Sequence, residues 1–66
     1  MVMKGNDRMY SIVFTKGNDE RIITKVEDKQ EAIRLANQFK AQTEYATGTV
    51  TVENRNNNAV KLIYLA

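Results

Sequence analysis

The chain has no cysteine and no histidine, and each absence removes a class of chemistry. Without cysteine there can be no disulfide, no thiolate metal ligand and no thiol nucleophile, and the composition fits a reducing compartment. Without histidine the commonest general base and the commonest transition-metal ligand are gone. Ser11 and several threonines remain as hydroxyl nucleophiles with no base beside them to activate them. Glycine is scarce, with three in the whole chain. Gly48 stands alone before a strand pattern, outside any glycine-rich strand-to-helix turn that would cradle phosphate.

Long apolar runs are missing too. No stretch approaches the length of a membrane span. Met1 to Tyr10 carries Lys4, Asn6, Asp7 and Arg8 and lacks the apolar segment of a secretory signal, so a cytoplasmic location is expected. An excess of one charge is also absent. Ten Lys and Arg against eight Asp and Glu leave a net charge of +2. The pI of about 9.1 is high mainly because no histidine buffers the neutral range. A DNA mimic would be strongly acidic, and an arm that tracks phosphates would be more basic.

A chain of 66 residues makes one small domain. At this size folding buries only about 60% of the unfolded surface, and small domains are commonly reinforced by disulfides, a metal or a second subunit. Of these, self-association is the device the composition leaves open.

Residues 1–8 are polar, contain Gly5-Asn6-Asp7, and read as a flexible tail before a single domain over 9–66. Met9 to Thr15 alternates β-branched and aromatic residues and predicts a strand. Lys16-Gly17-Asn18-Asp19 is turn chemistry, and Glu20 to Val26 completes a hairpin. The tetrad Lys-Gly-Asn-Asp occurs at Lys4 to Asp7 and again at Lys16 to Asp19, as recurring turn chemistry rather than a repeated ligand loop.

Asp28 followed by Glu31 has the spacing of a helix capping box. Ala32, Leu35, Ala36, Phe39 and Thr43 then fall on one helical stripe, with Gln30, Arg34, Asn37, Gln38 and Ala41 opposite. Glu44 to Gly48 is a connection, and Gly48 to Glu53 is a third strand. Asn54 to Asn58 is a loop rich in the best non-glycine occupant of the left-handed region. Ala59 to Leu65 is the fourth strand. The expected architecture is α+β, a two-layer ββαββ domain with one helix packed on one face of a four-stranded antiparallel or mixed sheet.

Strict alternation divides the strand residues into two sets. Tyr10, Ile12, Phe14, Ile22, Val26, Val50, Val52, Val60, Leu62 and Tyr64 form the expected core face. The other parity should be polar, yet it holds Met9, Val13, Ile23, Ile63 and Leu65 among Arg21, Lys25 and Lys61. With one helix to cover one face, these five apolar residues form an expected partner or dimer interface. Burying each fully is worth roughly 1.5–3 kcal/mol. Association costs from about 4 to more than 15 kcal/mol, so strand edges or polar contacts would have to contribute. A charge at Ile63 should then break association and leave the helix intact.

The competing reading is sequence-tolerant nucleic-acid binding. Arg21, Lys25 and Lys61 would share the outer face, with Lys16 and Arg55 in the loops at its ends. A single-strand platform would also need aromatics there, but Tyr10, Phe14 and Tyr64 belong to the core parity.

Catalytic and metal readings have less behind them. Asp28 and Glu31 are accounted for by helix capping. Asn18, Asp19 and Glu20 lack the spacing of a calcium loop. The expectation is a non-enzymatic, cofactor-free binding module of inhibitor or accessory-regulator type. It would dock on a protein and pair with itself as a homodimer, with no membrane partner.

Overall fold

The computed structural model describes residues 9–56 and 59–66, with Asn56 by its backbone alone. The tail expected over residues 1–8 lies outside the described residues, as do Asn57 and Asn58 of the expected loop, whose other residues, Asn54, Arg55 and Asn56, belong to a strand instead. The elements run β1 (Tyr10–Lys16), β2 (Asp19–Val26), α1 (Lys29–Lys40), α2 (Thr43–Ala46), β3 (Thr49–Asn56) and β4 (Ala59–Leu65). The strands form one antiparallel sheet in the order β2-β1-β3-β4. The two-layer ββαββ order expected from sequence is the one observed.

Topology explains where the helix sits. β2 and β3 are each antiparallel to β1 between them, so they run parallel to each other. Joining parallel strands takes a crossover of about a dozen residues, normally helical, and α1 supplies it. β1 and β2, by contrast, are joined through Gly17 and Asn18 alone. Gly17 adopts φ +62°, the left-handed value that such a two-residue turn needs.

Asp28 caps α1 from an extended conformation, its carboxylate accepting the Glu31 N–H at 3.1 Å. The capping box is only half made, because the Glu31 side chain turns along the helix to pair with Arg34. α1 stops at Lys40 rather than at Thr43. The Gln42 N–H closes a tight bond to the Phe39 carbonyl at 2.9 Å, and Gln42 is then extended. That break lets α2 swing Tyr45 over the sheet. Its ring meets Phe14 edge-on at 5.1 Å and Phe39 at 5.6 Å. The Lys40 ammonium donates to the Gly48 carbonyl at 2.7 Å and ties the helix end to the start of β3.

Ile12, Val50 and Val52 of the two central strands and Ala32 and Ala36 of α1 are fully buried and form the core. The alanines stand a helical turn apart and let the helix backbone approach the sheet closely. Gly48 makes another close approach. A Cβ there would stand 2.5 Å from the Phe14 ring and 2.6 Å from the Thr15 carbonyl oxygen.

Candidate functional site

Both edge strands carry a β-bulge. Ile12 is opposed by Thr24 but Val13 by Ile22, which leaves Ile23 as an inserted residue in β2. Val52 is opposed by Tyr64 but Glu53 by Leu62, which leaves Ile63 inserted in β4. An inserted residue reverses the alternation beyond it. Directly opposed residues project to the same side of a sheet, so the registers assign every side chain to a face.

These assignments correct the interface expected from strict alternation. Ile23 and Ile63 are half-buried and pack against the helix-side core. Their neighbours take the outer positions: Ile22 opposite Val13, Leu62 opposite Glu53, and Val60 opposite Arg55. Ile22, Val60 and Leu62, expected in the core, are instead exposed. Leu65 keeps its expected outer place opposite Thr51. Val13 is on the outer face but fully buried, flanked by Ile22 and Thr51 and outside the helix-side cluster. Met9 is half-buried just before β1.

Val13 is buried with no helix above it because the sheet coils. Glu20 stands opposite Thr15, whereas Arg55 lies just beyond the Tyr10–Asn54 pair. In a flat sheet that offset would be about 20 Å along the strands. Yet Arg55 Nη2 lies 3.0 Å from Glu20 Oε2 and 2.8 Å from Glu53 Oε1. Only strong coiling brings these corners together, and bulges add twist and bend of that kind. The Glu53 side chain is 15% exposed and that of Arg55 35%, so the pair roofs the middle of the outer face. The hydrogen bond to Glu53 pushes the Arg55 guanidinium above its ordinary range; burial opposes this, and the charges of Glu53 and Glu20 reinforce it.

The expected basic face does not assemble. Lys25 is on the outer face opposite Ser11, and Arg55 is held by two carboxylates. Arg21 lies opposite Phe14 and Lys61 opposite Asn54, both on the helix side. The bulges change only part of each strand, and both residues stay exposed at the sheet margins.

Lys16 and Arg21 share a shallow depression with Phe14, Asp19 and Glu20. Desolvation and then Glu44 raise the pKa of the Tyr45 hydroxyl, and the charge of Arg21 opposes the rise. Lys61 lies at the opposite end, where it lines a cleft of about 480 Å³ with Lys29, Tyr10, Asn54, Ala59 and Ile63.

The site that emerges is an apolar rim. The exposed large hydrophobic residues among the described ones are Ile22 (39%), Val60 (61%), Leu62 (61%) and Leu65 (60%). All four project from the outer face, and three of them come from β4, a free edge. A signal for this was present in the sequence. Ile22-Ile23 breaks the alternation of β2 in mid-strand, and Leu62-Ile63 opens the apolar run Leu62-Ile63-Tyr64-Leu65, which fits neither parity although it does not place the insertion. No helix among the described residues is long and apolar enough to cross a membrane. No protein-family model, no curated protein and no solved structure matches the chain.

Proposed function

We propose that this protein is a non-enzymatic binding module, of inhibitor or accessory-regulator type, that docks on a protein through the apolar rim and free edge of β4. The observation that carries this reading is the concentration of Val60, Leu62 and Leu65 on one edge strand, each about three-fifths exposed. Completing the burial of such side chains is worth about 1–2 kcal/mol apiece. Three give about 3–6 kcal/mol, comparable to the lower end of the association cost of about 4 kcal/mol and upward. The backbone donors and acceptors of the β4 edge supply the remaining contacts by adding a strand from the partner. Protein is favoured over nucleic acid because the cations are divided between two faces and Arg55 is neutralised by its carboxylates.

Affinity capture from the native host tests the proposal, with the Leu62→Lys variant as comparison. Leu62 is exposed, so the variant folds normally and loses the proteins that bind at the rim. Retention of the same proteins by both chains would overturn the reading.

A further inference from the structure

The two edges of the sheet are built differently. β2 carries Asp19, Glu20, Arg21 and Lys25, charges that oppose pairing with another strand. β4 carries Lys61 as its only charge among Ala59, Val60, Leu62, Ile63, Tyr64 and Leu65. The bulge also gives β4 a symmetric pattern of faces. Leu62 projects outward, Ile63 and Tyr64 toward the helix layer, and Leu65 outward again. Read in either direction, that order is the same.

A strand with such a pattern is complementary to itself in antiparallel pairing. We infer that in the free protein the occupant of the β4 edge is a second copy of this chain, which a partner's strand displaces, paired about a two-fold axis between Ile63 and Tyr64. This rests on the reading of β4 as the docking edge. Leu62 of each copy then lies opposite Leu65 of the other, and Ile63 opposite Tyr64, so every face matches across the axis. An axis through Leu62 or through Ile63 sets outer residues against helix-side ones. An axis through Lys61 matches the faces but places the two ammonium groups side by side. In the inferred register the two Lys61 residues are about 17 Å apart along the strands, beyond the screening length of roughly 8–10 Å.

Stacking outer face on outer face is disfavoured for another reason. It would bury the Arg55, Glu53 and Glu20 charges that occupy the middle of that face. Edge pairing leaves them in water. The overlap covers residues 61–66 of each copy, where the Ala66 N–H already extends the ladder to the Val50 carbonyl at 2.9 Å. A shared edge of roughly 20 Å, six residues from each copy, makes a small interface of the kind found in weak, transient complexes. The dimer therefore exchanges with monomer and grows with concentration.

Sedimentation of the full chain from micromolar to millimolar concentration should show a reversible monomer–dimer equilibrium. Leu62→Lys should weaken it at least about tenfold, with an unchanged circular-dichroism spectrum and, at concentrations where both chains are monomeric, a closely similar melting curve. The register has its own test, since the native chain has no cysteine. An oxidised equimolar mixture of Leu62→Cys and Leu65→Cys chains should form a covalent dimer much faster than either variant alone, because opposed Cβ atoms stand about 4.5–5.5 Å apart. Equal rates in the mixture and the single variants would overturn the register. A monomer at every concentration would overturn the second copy as occupant. The docking reading fails separately, if host proteins bind equally to the native chain and to Leu62→Lys.

Discussion

In the β1–β2 hairpin the bulge falls across from Ile12 and Val13, and in the β3–β4 hairpin across from Val52 and Glu53. Each bulge takes an isoleucine of the edge strand into the core and turns that residue's neighbour outward. The local device is the same, but the edges differ. Beyond the β2 bulge come Ile22, Arg21, Glu20 and Asp19, and the Glu20–Arg55 pair fastens this strand across the coiled face. Beyond the β4 bulge come Leu62, Lys61 and Val60, and no ion pair among the described residues reaches them. A bulge decides which side chains reach the surface. Their chemistry then decides whether the edge is closed to other strands or open to them.

The sharpest way to break this comparison is to place a lysine on either side of each bulge. Ile23→Lys and Ile63→Lys put an ammonium where a half-buried side chain packs on the core, and each should cost about 2–3 kcal/mol of stability in urea unfolding. Ile22→Lys and Leu62→Lys place it at outer positions 39% and 61% exposed, and each should change stability by about 0.5 kcal/mol or less. Strict alternation requires the reverse order. If the Ile22 and Leu62 variants proved the damaging ones, both bulges would be wrong.

Element order was legible because it rests on local signals. Asp28 and Glu31 mark a helix start, Gly17-Asn18 a turn, and Ala32, Leu35, Ala36 and Phe39 a helical stripe. Face assignment is not local, because parity is carried from one residue to the next and a single insertion reverses everything past it. The halves of β2 and β4 pairing beside Ile12 and Val52 were therefore assigned correctly, as Val26 and Tyr64 show. Ile22, Val60 and Leu62, beyond the insertions, were not. No glycine marks either bulge, since the inserted residues are isoleucines among good strand formers. The coil that buries Val13 brings together Glu20 and Arg55, 35 positions apart, and no local pattern reports it.

The ion pair that fastens β2 gives a smaller test. Arg55→Ala removes contacts to both Glu20 and Glu53 and leaves Glu53 largely covered without its cation. Arg55 itself is 35% exposed and Glu20 53%, so solvent screening limits the loss to about 1 kcal/mol. Half-molar salt should narrow the difference between native chain and variant. The specific consequence is on the outer face, where amide hydrogen exchange at Val13 and Ile22 should rise more than at Val52. A uniform rise through the sheet would mean that Arg55 supports the fold generally and does not roof this face.

β4 has a fastening of its own, on the other side of the sheet. The Tyr64 hydroxyl donates to Asn37 Oδ1 at 2.9 Å and joins the open edge strand to α1. Asn37 lies on the polar side of the helix, so the phenol reaches past the core to an exposed partner. A hydrogen bond that water can replace is worth little, and Tyr64→Phe should cost about 0.5 kcal/mol. The ring stays packed against the core, so helix content and the core amides should not change. Exchange should quicken only along β4. Equal quickening in β2 would mean that the two edges open together, and the independence of the hairpins would be lost. Confinement to β4 would make this strand the less securely held of the two edges, as a surface that must accept another strand requires.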